Sequence, residues 1–246
     1  MWQLLKPKPR KRRPRVPPGM RIYAVGDVHG CVDLLDQALT LIDEDLRRAP
    51  IERAIHVFLG DYVDRGPGSR ETVERLIGRS RTHESVLLKG NHETFVFAFL
   101  NDPAVLQHWR QYGGLETLIS YGLKPSLNAD AAEQQELAAA FRQRLPQDHQ
   151  QFFGELKPWF SCGDFFFAHA GVRPGVPLAQ QREEDLLWIR DDFLLCEDDY
   201  GKVIVHGHTP VLAPDIRPNR INIDTGAYAT GKLTCLVIEG ERIVVL

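Results

Sequence analysis

Cysteine is scarce and widely spaced. Cys31, Cys162, Cys196 and Cys235 stand far apart, with no C-x-x-C pair among them. That spacing excludes a zinc knuckle and argues against a disulfide framework in a chain of 246 residues. They read as reduced thiols of a cytoplasmic protein. No apolar run approaches the roughly eighteen residues of a membrane span, and the first residues lack the apolar centre of a secretory leader. No G-x-x-x-x-G-K-[ST] occurs, which excludes a P-loop nucleotidase. No cysteine opens a C-x5-R pattern, which excludes a thiol phosphatase. No internal repeat is visible.

Acid is missing from residues 1–19, which carry Lys6, Lys8, Arg10, Lys11, Arg12, Arg13 and Arg15. The remaining chain then holds 23 basic against 33 acidic residues, a balance of −10 hidden inside a net charge of −3. Prolines between Pro7 and Pro18 forbid a regular helix there. Residues 1–20 are predicted to be a basic tail, solvated or else attached electrostatically to nucleic acid or an anionic surface. An acidic body is compatible with binding metal cations.

From Ile22 short apolar runs alternate with helical patterns. Ile22 to Val25 predicts a buried strand, and Val32, Leu34, Leu35, Ala38, Leu39 and Ile42 recur at helical spacing. Residues 54–59 predict a second strand, 70–79 a short helix, and Val86, Leu87 and Leu88 a third strand. This rhythm implies parallel pairing and a sheet covered on its faces. Residues 94–157 show helical periodicity broken at Pro103, Gly113-Gly114, Pro125 and Pro146, and predict a helical insertion over the strand ends. Strands are predicted again at 159–161, 165–168, 203–205, 221–223, 233–238 and 242–246, the last two as a hairpin. The expected fold class is α/β, with two mixed sheets face to face and helices outside, in one domain over 21–246.

Each strand of the parallel half runs into glycine and polar residues: GDVHG (26–30), GDYVDRG (60–66) and GNHE (90–93). Such ends converge on the edge of an open α/β sheet where ligands bind. His169 in HAG and His208 in HGHT follow the same pattern. Asp27 and His29, two apart in an extended turn, can face one point, and a carboxylate beside an imidazole suits a divalent metal. Each cluster alone has a plainer reading. Asp61 and Asp64 could be turn-forming acids, Asn91 a helix cap, and His169 or His208 polar strand ends. Five clusters in order point together to a metal site.

The ordered set GDVHG, GDYVDRG, GNHE, HAG and HGHT resembles the phosphoprotein phosphatase branch of the calcineurin-like metallophosphoesterases, from Ile22 to the C-terminus, with the insertion least covered. The resemblance implies a four-layer α/β/β/α sandwich and a binuclear metal centre. On it, Asp27, His29 and Asp61 would hold one ion. Asp61 would bridge to a second, completed by Asn91, His169 and His208. The family pattern puts the ligand in a Gly-His step, here Gly207-His208, which makes His206 a supporting residue. Pro210 stands where other metallophosphoesterases carry a further histidine. The resemblance also makes His92 the proton donor to the leaving alkoxide, oriented by Asp64, with Arg65 and Asn91 on the phosphate. LLWIR (186–190) implies Arg190 as a second clamp, with Arg173 in HAGVRPG as its competitor. Glu93 is expected to open a helix and steady its loop.

Ligands mixing oxygen and imidazole nitrogen suit manganese first, with iron or zinc as alternatives, better than calcium. Water shared between two such ions is acid enough to be hydroxide near neutral pH and can attack phosphorus directly. The leading expectation is therefore a metal-dependent phosphatase acting on phosphoserine or phosphothreonine in proteins. The alternative is symmetrical hydrolysis of dinucleoside tetraphosphates; a reading of another class is an inactive metal-binding scaffold. Residues 94–157 should decide between the substrates, a closed aromatic pocket favouring nucleotides and an open groove favouring peptide.

Overall fold

Side-chain alternation along the first strand sets the layering. In the computed structural model, which describes residues 13–246, β1 (Met20–Val25) sends Ile22 and Ala24 to one face and Tyr23 and Val25 to the other. Both sets are buried, so this strand is covered on both sides. β2 (Arg53–Phe58) repeats the split, Ile55 and Val57 against Phe58.

The first sheet adds β3 (Ser85–Leu87) in parallel beside β2, and the hairpin β9 (Cys235–Glu239) and β10 (Arg242–Val245) antiparallel beside β1, in the order β10-β9-β1-β2-β3. The second sheet comprises β4 (Trp159–Cys162), β5 (Phe165–Ala168), β6 (Val203–His206), β7 (Asp215–Ile216) and β8 (Arg220–Asn222), in the order β4-β5-β6-β8-β7. Both sheets are mixed. Ile22, Ala24, Ile55 and Val57 meet Phe165, Phe167, Val205 and Ile221 between them. The two-residue β7 escapes sequence reading because two residues carry no periodicity.

On the outer face of the first sheet lie α1 (Val32–Arg48), α2 (Ser69–Thr82) and the insertion helices α3 (Asn91–Asn101), α4 (Leu106–Trp109), α5 (Gly114–Ser120), α6 (Ala131–Arg144) and α7 (Gln147–Glu155). Phe99, Trp109, Leu118 and Phe141 share one core with Val25 and Phe58, which ties the insertion to the body. Outside the second sheet, Phe166, Ala168 and Ile204 pack on α8 (Glu183–Trp188) and α9 (Asp191–Leu194) through Leu186, Ile189 and Phe193. The molecule is thus an α/β/β/α sandwich. α2 outruns its predicted span of 70–79 by Ser69 at one end and Ser80, Arg81 and Thr82 at the other, polar residues beyond the reach of an apolar count.

Residues 1–12 of the basic stretch lie outside the described residues. From Arg15 onward the chain is tied to the body: Arg15 N–H donates to Asp164 Oδ2 (3.0 Å), Val16 N–H donates to Gly240 O (3.1 Å), and the Val16 side chain is buried between the sheets. No described helix is long and apolar enough to cross a membrane.

His56 on β2 is a buried base away from the strand ends. Its Nδ1 accepts from Arg79 Nε (3.2 Å), Tyr23 meets it edge-on, His83 stacks beside it, and Asp43 holds Arg79. Burial, then the charges of Arg79 and His83, push its pKa down to about 3. The unfolded imidazole titrates near 6.5, so its contribution is full above that pH and is lost as pH falls toward 3. The stability slope there is about 1.4 kcal/mol per pH unit. Urea unfolding of His56→Asn, whose carbonyl can still accept from Arg79, is expected to show a flatter slope between pH 6 and 4 than the wild type.

Candidate active site

Among the described residues, five non-glycine positions have positive φ: His29 (47°), Asp61 (51°), Asp64 (72°), Arg65 (69°) and His208 (67°). Left-handed backbone costs a side-chain-bearing residue about 1–3 kcal/mol and persists only where the surroundings impose it. All five lie in the turns that leave β1, β2 and β6, and all five side chains were singled out by sequence. These turns aim side chains back over the strand ends.

The turns are fixed by close backbone packing. His29 N–H donates to Asp61 O (2.7 Å) and Gly30 N–H to Tyr62 O (2.9 Å), locking the first turn onto the second. Glu93 locks the second onto the third. It accepts from the N–H groups of Asp61 (3.0 Å), Tyr62 (2.7 Å) and Gly90 (2.8 Å). Burial, and then the charge of Asp61, raise its pKa to about 7. Two glycines are dictated by space: a Cβ at Gly90 would lie 2.2 Å from Asp61 Oδ1, and one at Gly207 2.0 Å from Asp27 Oδ1.

Asp27, His29, Asp61, Asn91, His169 and His208 form one buried cup at the carboxyl ends of the strands of both sheets. Asp61 is central. Its Oδ2 lies 3.5 Å from His29 Nε2 and its Oδ1 lies 3.4 Å from His169 Nε2. Asn91 Oδ1 is 2.9 Å from both His169 Nε2 and His208 Nδ1. Asp27 Oδ2 accepts from His208 N–H (2.9 Å). Burial raises the Asp61 pKa, but His169, His92, His29 and His208 outweigh it and hold the carboxyl below its usual range. Burial pushes His29 down to about 3 and holds His169 and His208 down as well, so all three imidazoles are neutral and can offer lone pairs.

The donor set fits divalent cations. Two triads, His29–Asp61–His92 and Asp61–His169–His208, each bring ligand atoms within 4.8 Å of one another and share Asp61. Asp27 Oδ1 and His208 Nε2 are buried without any hydrogen-bond partner among the described residues, an arrangement that a cation would relieve. Second nitrogens are already anchored: His29 Nδ1 on Val63 O and His169 Nδ1 on Leu59 O, both at 3.0 Å, as metal-binding imidazoles require.

His92 stands beside the cup with Nδ1 2.7 Å from Asp64 Oδ2 and Nε2 3.7 Å from Asp61 Oδ2. Burial lowers its pKa, but Asp61 and Asp64 overcome this and raise it. Asp64 is held by two residues of the insertion: Trp109 Nε1–H donates to Oδ2 (2.8 Å) and the Thr117 hydroxyl to Oδ1 (2.6 Å). Sequence reasoning missed both, since they lie 45 and 53 residues from Asp64 in chain positions without a local motif.

The two arginine candidates separate. Arg173 is engaged by Asp185, with Nε 3.0 Å from Oδ1, and by Asp192. Arg190 Nη1 lies 3.4 Å from Thr209 Oγ1, on the residue that follows His208. Arg65 lies over the ring of Tyr228, 4.5 Å from its centroid, and donates to its hydroxyl. Tyr228 and the buried Asp224 were also missed. Burial raises the Asp224 pKa to about 6 against the charges of Arg65 and Arg190. Asp224 had a readable signal, an apolar strand running into a glycine turn; Tyr228 had none.

The calcineurin-like phosphoesterase family matches the chain over residues 20–235. The chain is 30% identical over 234 residues to bis(5'-nucleosyl)-tetraphosphatase PrpE (asymmetrical) of Bacillus velezensis, covering 85% of this chain and 86% of that protein. It is 27% identical over 233 residues to the protein of the same name from Anoxybacillus flavithermus, with 86% and 88% covered. The crystal structure of a candidate diadenosine tetraphosphatase superposes with a TM-score of 0.61 at 21% identity, covering 96% of this chain and 98% of that one. A protein serine/threonine phosphatase of Saccharomyces cerevisiae superposes with a TM-score of 0.55 at 16% identity, covering 93% and 79%. At these identities the two structures speak to the fold alone.

Proposed function

The chain belongs to the calcineurin-like phosphoesterase family, and on that premise we propose that it is a binuclear metal-dependent hydrolase cleaving dinucleoside tetraphosphates asymmetrically. The observation that carries the chemistry is the six-residue cup with an oriented imidazole at its edge. The substrate is carried by the curated relatives, which align over most of both chains and are named for this reaction. That evidence favours the nucleotide reading over the phosphoserine/phosphothreonine reading, and asymmetrical over symmetrical cleavage.

Asp27, His29 and Asp61 would hold one divalent ion, and Asp61, Asn91, His169 and His208 the other. Bound ions would polarise phosphoryl oxygens and acidify water. The chain's own groups do the rest. Arg65 and Arg190 grip non-bridging oxygens, the planar guanidinium matching phosphate geometry. His92, its Nδ1 bonded to Asp64, gives a proton to the departing oxygen. Asp64 keeps its ring turned to that task. Water adds to phosphorus, one P–O–P bond breaks, and the products are a nucleoside triphosphate and a nucleoside monophosphate.

The test is chromatography of products from diadenosine tetraphosphate with added manganese. Equal ATP and AMP is the expected result. ADP alone would replace it with symmetrical cleavage, and no turnover beside rapid phosphopeptide hydrolysis would restore the protein phosphatase reading. Arg190→Ala is expected to raise KM for the tetraphosphate about 10- to 100-fold, the worth of a charged hydrogen bond. Arg173→Ala, which removes contacts to Asp185 and Asp192, should change KM less than Arg190→Ala does.

A further inference from the structure

Resting on that reading, we infer that Trp188 and Tyr112 form the stacking platform for the nucleobase on the leaving-group side of the site. A leaving group protonated by His92 departs along the ring of Tyr112, whose centroid is 5.9 Å from that of His92. Tyr112 in turn meets Trp188 at 6.3 Å, and Trp188 meets His208 at 6.1 Å. The two aromatics therefore span from the proton donor to the far wall of the cup.

Trp188 meets Tyr112, Phe95 and His208 at interplanar angles of 79°, 89° and 82°, so none of these rings lies parallel to it. It is 36% exposed although its chain neighbours Leu187 and Ile189 are buried. Phe95 backs the pair, stacked on Tyr112 at 5.4 Å. Trp188 also borders a cleft of about 540 Å³ lined by Arg173, Arg182, Glu184, Asp185 and Ile189, large enough for a nucleoside. A purine has two π-faces, and stacking tolerates any base. On the other side of the cup, Tyr228 is already engaged by Arg65, which leaves Trp188 and Tyr112 as the platform.

The inference predicts that adenosine contributes to affinity through Trp188 beyond what the phosphates contribute. ATP and inorganic tripolyphosphate carry the same phosphate chain with and without a nucleoside. Their inhibition constants are measured against hydrolysis of glycerol phosphate in the full-length manganese enzyme. In the wild type ATP should bind tighter; in Trp188→Ala the advantage of ATP over tripolyphosphate should shrink about 5- to 150-fold. An unchanged ratio would overturn the platform. A second measurement needs no disruptive variant: ATP, and not tripolyphosphate, should quench tryptophan fluorescence in the wild type, and the quench should vanish in Trp188→Phe. A quench that survives would also overturn it. Absence of diadenosine tetraphosphate turnover by the wild type would sink the proposed substrate instead, and is read in a separate assay.

Discussion

Asp61→Asn is expected to reduce bound manganese from two ions per chain to fewer than one and to lower turnover by roughly 10³-fold or more. Asp61 is the one side chain shared by both ligand triads, with its two oxygens 3.4 and 3.5 Å from imidazoles on opposite sides. The substitution keeps the shape, removes the charge, and turns one oxygen into an NH2 that points its hydrogens at nitrogen lone pairs. Two cations sharing one bridging group lose both attraction and ligand together, so the ions should fall out as a pair rather than singly. Metal analysis after gel filtration reads the occupancy. A second readout is independent of turnover: manganese should raise the melting temperature of the wild type by mass action on the folded state, and should barely move that of the variant. A variant that keeps two ions and a normal manganese shift would show that the cup is held by the imidazoles alone.

The parts of this site that the sequence makes legible share one local signature. Asp27, Asp61, Asn91, His169 and His208 each follow an apolar strand at a glycine-containing turn, and parallel strands carry such turns to the same edge. Asp224, after β8, bears the same signature, but aspartate is common in turns, where its carboxylate bonds to nearby backbone, so it does not stand out alone. What supports Asp64 is of another kind. Trp109 and Thr117 look like core residues of an amphipathic insertion, and only the packing of α4 and α5 against the second turn brings their donors to a carboxylate. Layering was readable for a similar reason to the ligands: Ile22, Tyr23, Ala24 and Val25 are apolar on both faces, which only a covered strand allows. The aromatic wall of Tyr112 and Trp188 joins positions 76 residues apart, so no sequence window could contain it.

The second large effect concerns His92. His92→Asn is expected to keep both ions while kcat on glycerol phosphate falls about 10²- to 10⁴-fold. An alkoxide is a poor leaving group and needs the proton that His92 supplies; Asp64 holds the ring for that transfer at 2.7 Å. On diadenosine tetraphosphate the departing oxygen belongs to a phosphate, which carries negative charge without being protonated first, so the loss should be smaller. The ratio of the two losses therefore measures how much of the effect is proton donation rather than disturbed geometry, since misplaced phosphate would hurt both substrates alike. His92 Nε2 also lies within reach of Asp61 and His29, which leaves room for a ligand role. Metal content separates the two. An ion lost with the imidazole would make His92 a ligand of the first ion, whereas two ions retained with an alkyl-selective loss of rate would make it the proton donor.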